Sequence, residues 1–206
     1  MYSPPAFRED RLDVLHALIE AHPLGTLITG GGRGLEANLV PFTLHGGRGA
    51  HGTLLAHLAK ANDQLAALRD GSEVLVIFQG AQSYITPNWY SSKAEHGKVV
   101  PTWNYIVVQA RGVPVVIDDA AWLRRQVGEL TDRNESPRPS PWAVDDAPEA
   151  FVAAQLKGIV GIEIPVARIE GKWKTSQNRP EADRIGVSAG LAADGHAEMA
   201  EWVARR

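Results

Sequence analysis

The amino-acid sequence predicts a mainly β fold of antiparallel strands with helices at its periphery. Short strand-like segments follow one another, and Gly-rich turns link the first three, as β-hairpins require. The predicted helices are too few for one to follow nearly every strand, which argues against a βαβ layout of the Rossmann type. Together these observations favour an antiparallel barrel with peripheral helices.

The first predicted element is a helix over residues 10–21. Apolar residues recur at three- and four-residue steps from Leu12 to Ile19, Asp10 can cap the start, and Pro23 ends it. Four strand candidates then follow in the order LGTLIT, LEANLVPF, AHGTLLAH and EVLVIFQG.

The second half of the chain continues the same pattern. TWNYIVVQARGVPVVID predicts a long extended run with a bulge or edge at Gly112-Val113-Pro114, and IVGIEIPVARIEGKWK predicts the last long strand. Further helices are predicted over residues 58–68, 120–130 and 149–156. We therefore expect one domain over residues 1–206, with a helical C-terminal tail over about 180–206.

The composition restricts the class of protein. A chain of 206 residues can bury a sizeable core, and the absence of cysteine excludes disulfides, thiolate metal sites and cysteine nucleophiles. The N-terminus lacks a basic stretch followed by an apolar one, and no apolar run approaches the roughly 20 residues that span a bilayer. We expect a cytoplasmic protein without a membrane partner.

The net charge of −3 gives no support to DNA binding, because proteins that contact DNA phosphates usually carry a basic excess. DNA stays possible as a partner, since the charge is unevenly distributed. Residues 168–184 carry five basic side chains against three acidic ones. Such a local excess suits a small phosphate better than a DNA backbone.

Three short patterns are rejected on their context. GRGAHG, at 47–52, matches a dinucleotide fingerprint but lies between two strands rather than before a helix. GVSAG, at 186–190, matches a nucleophile elbow but lies in a helical tail without a triad histidine well downstream. His51 and His57 are about 20 Å apart along one strand, so they cannot share a metal, and no metal site is expected.

Two other segments carry patterns typical of anion binding. HLAKAN, at 57–62, lies where a strand gives way to the predicted helix, whose free N–H groups and Lys60 would attract a phosphate. EGKWKTSQNRP, at 170–180, alternates cationic and amide side chains around Trp173 and suits a flat heterocycle with a phosphate. The alternatives are a capped helix with a solvated lysine and a charged strand edge.

These blocks resemble the FMN-binding negative transcriptional regulators of the PaiB type, which have the FMN-binding split-barrel fold. The resemblance covers nearly the whole chain, and its most specific parts are SYITPNWYSSKAEHGKVVPTWNY and GKWKTSQNRP. It implies a homodimer with FMN in a cleft between the subunits, where basic and polar residues hold the phosphate.

The resemblance also implies cofactor contacts at matching positions. The phosphate and ribityl chain are assigned to His57, Lys60 and Asn62. The isoalloxazine edge, or the phosphate bound by the partner subunit, is assigned to Lys174, Gln177 and Asn178. Asn38 lies on a strand that runs beside the flavin ring in related split barrels.

The aromatic stretch at 83–105 is interpreted as a wall of the cofactor cleft. Its stacking surfaces would come from Trp89, Tyr90, Trp103 and Tyr105. Its positive charge would come from Lys93, His96 and Lys98. Trp103 is the ring expected against the flavin. The alternative is that these rings fill the dimer interface, where aromatic residues are enriched.

Two functions follow from the resemblance and both stay open. One is a flavin-linked repressor, and the other is an FMN-dependent oxidoreductase that acts on a small molecule, as enzymes resembling pyridoxamine phosphate oxidase do. No helix-turn-helix pattern supports the first and no acid–base pair supports the second. Flavin chemistry needs little from side chains, so the missing pair does not exclude an enzyme.

Overall fold

A computed structural model describes residues 1–32 and 34–205 of the chain. The chain forms two compact units. The first unit comprises Met1–Leu18, Gln79–Val108 and Glu170–Arg206, and the second comprises Ile19–Phe78 and Gln109–Ile169.

Strands and helices alternate irregularly along the described residues. The strands are β1 (Arg8–Glu9), β2 (Leu24–Gly31), β3 (Gly34–Pro41), β4 (Thr43–His45), β5 (Thr53–Ala59), β6 (Val74–Ile85), β7 (Thr102–Gly112), β8 (Val115–Ile117), β9 (Ile159–Pro165) and β10 (Arg168–Lys174). The helices are α1 (Leu12–Ala21), α2 (Leu65–Arg69), α3 (Ser92–His96), α4 (Ala120–Glu135), α5 (Glu149–Lys157), α6 (Glu181–Ala193) and α7 (Ala197–Ala204).

The second unit contains two runs of paired strands. β2 lies between β3 and β6, and the β2–β3 hairpin is antiparallel from the pair Leu24 and Pro41 to the pair Gly31 and Gly34. The predicted turn GGGRG between these strands includes Arg33, which lies outside the described residues. The other strands form a four-stranded sheet in the order β4-β5-β9-β8. Both runs are antiparallel, and the first predicted hairpin is β2–β3. The second predicted hairpin has the wrong first strand: GGRG joins β4, which the sequence did not predict, to β5, whereas β3 pairs with β2.

Helix α4 packs on the four-stranded sheet because a glycine leaves room for a large ring. The side chain of Asp119 accepts a hydrogen bond from the backbone N–H of Trp122 at 2.6 Å and caps the helix. A Cβ atom added at Gly161, on β9, would lie 2.2 Å from the ring of Trp122. The absence of a side chain at this position therefore sets the distance between the helix and the sheet.

The first unit contains paired strands in the order β1-β10-β7-β6, together with α3, α6 and α7. Gly186 and Gly190, one helical turn apart on α6, receive Trp89. A Cβ at Gly190 would lie 2.3 Å from that indole ring, and one at Gly186 would lie 2.1 Å from the Trp89 carbonyl oxygen. GVSAG is thus a packing surface inside a helix.

Three predicted boundaries are wrong for identifiable reasons. The helix predicted over 58–68 begins only at Leu65, since β5 stays paired with β9 as far as Ala59. The run TWNYIVVQARGVPVVID divides into β7 and β8 around Pro114, which cannot donate a backbone hydrogen bond. IVGIEIPVARIEGKWK divides at Val166-Ala167, whose N–H groups donate to Gly52 and Arg111.

Among the described residues, no helix is both long and apolar enough to cross a bilayer.

Candidate functional site

The predicted cofactor residues lie in two regions, one in each unit. In the second unit, a cavity of about 570 Å³, here called the amide cavity, is lined by Glu36, Ala37, Asn38, Ala59, Ala61, Asn62, Asp63 and Gln64. In the first unit, the cationic cluster consists of Lys172, Lys174 and Arg179.

A buried glutamine organises the amide cavity. Gln64 is 1% exposed, and its Nε2 donates to the backbone oxygens of Leu27 at 3.0 Å and Glu36 at 3.2 Å. Its Oε1 accepts from Nδ2 of Asn38 at 3.0 Å, and its backbone N–H donates to Oδ1 of Asn62 at 2.9 Å. The loop after β5 is therefore held against β2 and β3 by one side chain.

The amides that remain available suit an uncharged, amide-like ligand. Among the described residues, Oδ1 of Asn38 and Nδ2 of Asn62 have no hydrogen-bond partner, which leaves one acceptor and one donor for a ligand. The charged side chains of the lining are Glu36 and Asp63. A heterocycle with carbonyl and N–H edges, or a ribityl chain, fits these amide groups.

His57 and Lys60 contact the helix α4 and the residues before it instead. Nδ1 of His57 lies 2.7 Å from Oε1 of Gln126, and Nζ of Lys60 donates to Oδ1 of Asp118 at 2.7 Å. Neither histidine nor lysine lines the amide cavity. The backbone N–H groups of Lys60 and Asn62 donate to Gly158 and Ala59, and α2 begins five residues after Lys60. The assignment of His57 and Lys60 to FMN stays a prediction.

The cationic cluster lies on β10 and in the turn that follows it. Nζ of Lys174 donates to Oγ1 of Thr102 at 2.5 Å and to the carbonyl oxygen of Trp103 at 2.6 Å. The ring of Tyr105 lies near both lysines, 5.1 Å from Nζ of Lys172 and 6.0 Å from that of Lys174. The negative face of this ring offsets part of the repulsion between the two ammonium groups.

The environment of Lys174 disfavours its charged form. Burial, followed by the neighbouring charges of Lys172 and Arg179, lowers the pKa of Lys174 below its ordinary value. Among the described residues no carboxylate forms an ion pair with Lys174. A phosphate bound here would offset the repulsion and receive charge-assisted hydrogen bonds, so the cluster fits the charged end of FMN.

Gln177 shapes the turn after β10 through its own backbone contacts. Its Oε1 accepts from the backbone N–H of Thr175 at 2.8 Å, and its Nε2 donates to the carbonyl oxygen of Trp173. Ser176 has a φ of 64° and is held by a 2.9 Å bond from Nδ2 of buried Asn104. This left-handed conformation is unfavourable for serine, so the surrounding bonds must maintain it. Asn178, the next residue, is exposed.

The aromatic stretch at 83–105 divides into buried and exposed rings. Tyr90 is 3% exposed, so the expectation that this ring offers a stacking surface is wrong. Trp89 is half-buried against the α6 glycines, and its role in a cofactor cleft stays a prediction. Trp103 is 54% exposed, and its ring lies 5.9 Å from that of Tyr84 at 71°. This edge-to-face pair leaves aromatic surface open to solvent beside the carbonyl that binds Lys174.

Several residues of these regions were absent from the sequence-based assignment. Gln64 and Thr102 carry no pattern of their own, because a single buried polar residue has no periodicity. Lys172 belongs to the same G-K-W-K segment as Lys174, and their spacing of two on one strand was the available signal that both side chains share a face.

Comparisons with known proteins agree on the class of domain. Residues 1–168 match the family model described as "Putative FMN-binding domain". The chain is 35% identical over 226 residues to the uncharacterized protein AN0679 of Emericella nidulans, across 93% of this chain and 90% of that protein. It is 29% identical over 187 residues to the protease synthase and sporulation protein PAI 2 of Bacillus subtilis, across 91% and 87% respectively.

Solved structures share the fold. The conserved hypothetical protein Rv2991 of Mycobacterium tuberculosis superposes with a TM-score of 0.59 at 13% identity, covering 88% of this chain and 95% of that one. The FAD and heme binding protein of Mycobacterium smegmatis gives a TM-score of 0.57 at 16% identity, covering 81% and 73%. These likenesses concern the fold alone, and the predicted antiparallel split-barrel class is confirmed.

Proposed function

The chain belongs to the family of FMN-binding domains and has FMN as its cofactor, and from this premise we propose that it is a homodimeric, flavin-linked repressor of transcription in the cytoplasm. The name of the Bacillus subtilis relative, which refers to protease synthesis and sporulation, supports a role in controlling gene expression. Two features support the proposal: an exposed apolar surface that suits a dimer interface, and the position of this surface beside the amide cavity.

The observation that carries the dimer is an exposed apolar surface on β3. Leu35 is 83% exposed and Leu39 is 65% exposed, and with Ala37 they alternate along one face of this edge strand. Their partners on β2 are Gly30, Ile28 and Thr26, so the surface continues onto the next strand. A contiguous apolar patch of this kind favours a second copy of the chain over solvent.

The position of this surface links the dimer to the cofactor. Residues alternate along a strand, so the opposite face of β3 carries Glu36 and Asn38, which line the amide cavity. Because β3 is an edge strand, a subunit packed on Leu35 and Leu39 would lie beside the cavity, separated from it by the width of one strand. In the proposed dimer, FMN binding and subunit association therefore stabilise one another.

FMN, when bound, supplies reversible redox chemistry. Each unit by itself offers contacts suited to part of FMN: Asn38 and Asn62 suit polar edges of the uncharged part, and Lys174 with its cationic neighbours suits a phosphate. Trp103 offers a ring for stacking. Gln64 and Gln177 support these contacts from behind, through their bonds to the backbone.

Changing the apolar surface tests the proposed function. Leu39→Glu places a charge in the interface, and we expect light scattering to show monomers where the unaltered protein forms dimers. Val113→Glu, at a residue that is 49% exposed on the β7–β8 turn, is the matched control. Monomers in the unaltered protein at micromolar concentration would contradict the dimer.

A mobility-shift assay tests the repressor role directly. Promoter DNA and a scrambled duplex are compared at physiological salt, with FMN-loaded and FMN-depleted protein, because non-specific binding falls steeply with salt. We expect the promoter to be retained and its retention to depend on FMN and on Leu39. The absence of retention at any FMN level would contradict direct repression.

An FMN-dependent oxidoreductase is the second candidate, and the lowered pKa of Lys174 favours it. In this candidate Lys174 lies at the isoalloxazine edge rather than at the phosphate, so its pKa stays below the ordinary value and the amine exchanges protons more readily, as a general acid or base must. If this candidate is correct, reduced nicotinamide nucleotides should reduce the FMN-loaded protein much faster than free FMN. Lys174→Met should slow that reduction, and equal rates for bound and free FMN would count against an enzyme.

A further inference from the structure

A second cavity of the second unit lies between α4 and the four-stranded sheet. It has a volume of about 320 Å³ and shares no lining residue with the amide cavity. Leu55 of β5 and the side chain of Trp122 contribute apolar surface to it, and polar side chains of α4, β4 and β9 complete the lining. We call it the α4 cavity.

The carboxylates of the α4 cavity are already occupied. Glu163 accepts from Arg48 at 3.2 Å and 2.7 Å and from Nε1 of Trp122 at 2.9 Å. The bonds from Arg48 outweigh the effect of burial and hold the pKa of Glu163 below its ordinary value, so the group is ionised at neutral pH. Glu129 lies 2.8 Å and 2.9 Å from Nε2 of His45. A cationic ligand would have to displace these partners.

Two consecutive donors of α4 are not occupied. Arg125 is exposed at the cavity, and no hydrogen bond or ion pair joins it to any other residue that the structure describes. Gln126 is 2% exposed; its Oε1 contacts Nδ1 of His57 at 2.7 Å, whereas its Nε2 is buried without a partner. A buried donor without an acceptor costs about 1–3 kcal/mol, and such groups are rare in native proteins.

A third unpartnered group lies on the same sheet. Oγ1 of Thr43 is buried without a hydrogen-bond partner. Thr43 pairs directly with Leu55, so both side chains are on one face of the four-stranded sheet. Thr43 therefore lies on the same face of the sheet as Leu55, which lines the α4 cavity.

We propose that the α4 cavity binds a small organic carboxylate as a second ligand, distinct from FMN. The guanidinium of Arg125 pairs with the carboxylate at the mouth, Nε2 of Gln126 donates to an oxygen of the ligand, and Leu55 and Trp122 contact its apolar body. An anion is selected because the charge without a partner at the mouth is a cation, whereas Glu163 and Glu129 already have partners in Arg48 and His45. A guanidinium suits a carboxylate because its donors are fixed in one plane.

Titration of FMN-loaded protein with 4-fluorobenzoate, followed by fluorine NMR, tests this site. We expect binding with a Kd of about 1 mM, which is ordinary for a ligand of this size. Arg125→Gln and Gln126→Leu should each weaken binding by about tenfold, as the loss of a strong hydrogen bond predicts. Arg124→Gln is the matched control, because the neighbouring Arg124 pairs with Asp145 instead.

Two further measurements distinguish the proposed carboxylate site from the FMN site. 4-Fluorobenzylammonium should not bind, and the absorbance of bound FMN should not change during the benzoate titration. The proposal is overturned if 4-fluorobenzoate does not bind below about 10 mM, if both α4 variants bind it normally, or if the ammonium analogue binds equally well. Release of FMN by benzoate would also overturn it, because the cavity would then belong to the flavin site. Circular dichroism confirms that each variant is folded.

Discussion

The amide cavity and the cationic cluster were assigned to one cofactor, yet their chemistry differs. In the amide cavity, Asn38, Asn62 and Gln64 bond to one another and to backbone groups through neutral amides. In the cationic cluster, a lysine with a lowered pKa lies near two further cations. FMN has the same division, with an uncharged ring and ribityl chain and a dianionic phosphate. The difference teaches that each region suits a different part of the cofactor.

The largest effect is expected from removing the charge of Lys174. Lys174→Met should weaken FMN binding by about 1.5–3 kcal/mol, the range for a hydrogen bond to a charged group, and should leave riboflavin binding unchanged because riboflavin lacks the phosphate. Flavin fluorescence titrations with both ligands measure this. Lys157→Met is the control, since Lys157 is exposed on α5 and belongs to neither region. An equal loss of affinity for both flavins would show that the cationic cluster does not bind the phosphate.

The second-largest effect is expected on stability, because Gln64 holds the residues of the amide cavity together. Gln64→Leu leaves Nδ2 of Asn38 and two backbone oxygens without their partner, so the free energy of unfolding should fall by about 1–3 kcal/mol. Urea denaturation measures the loss. Riboflavin and FMN should both bind more weakly to this variant, in contrast to Lys174→Met. If riboflavin binding is unchanged, the amide cavity does not hold the uncharged part.

The pH dependence of FMN binding should report on the cationic cluster. The pKa of Lys174 is lowered in the free protein, and a bound phosphate would raise it, so FMN binding takes up a proton in the window between the two values. Affinity should therefore be constant below the lowered pKa and should fall as the pH rises through it. Lys174→Met should flatten the profile of FMN affinity against pH.

In the absence of FMN, the free energy of unfolding should rise with pH between the lowered pKa and 10.5, because the unfolded chain binds more protons there.

The ring of Trp103 should give a smaller effect. Trp103→Leu removes the π-face while keeping an apolar side chain, so FMN affinity should fall by up to about tenfold and bound flavin should fluoresce more strongly. Fluorescence yield at saturating FMN and the dimer dissociation constant are measured together. A looser dimer with unchanged emission and affinity would assign Trp103 to the interface.

The smallest effect is expected at Lys60. The sequence-based assignment predicts a loss of about 1.5–3 kcal/mol in FMN binding for Lys60→Ala. Lys60 already pairs with Asp118 at the surface. We therefore expect Lys60→Ala to reduce the free energy of FMN binding by less than about 1 kcal/mol, which is the size of the contribution of an exposed ion pair. The loss of FMN affinity distinguishes the two expectations, and a loss in the larger range would return Lys60 to the phosphate site.

The sequence predicted the features of the protein that depend on local patterns of residues. The β2–β3 hairpin, the antiparallel class, the family and FMN were predicted correctly, because turns and motifs are contiguous in the chain. The second hairpin was predicted with the wrong first strand, because β4 is only three residues long. Asn38 and Asn62 were identified through such motifs, and the structure brings them to one cavity. Whether these and the other assigned residues contact FMN stays a prediction, as does the organisation of residues 1–206 as a single domain.

The features that the sequence did not predict depend on contacts between residues that are far apart in the chain. Asp118 lies 58 residues after Lys60 and Gln126 lies 69 residues after His57, so neither partner is visible in HLAKAN. The helix expected at 58–68 failed for the same reason, since pairing with β9 extends β5 beyond its local preference. Trp89 looked like a ligand surface because its glycine neighbours on α6 lie about 100 residues further along the chain.

The contact between Trp89 and α6 has a consequence for where this protein can be shortened. The family match ends at residue 168, which is the first residue of β10. A chain cut there would lose the lysines of the cationic cluster and the two glycines that receive Trp89, so the indole ring would be left without its cover. The boundary of a recognisable family is thus not a boundary of the folded unit, and a minimal version of this protein must keep α6.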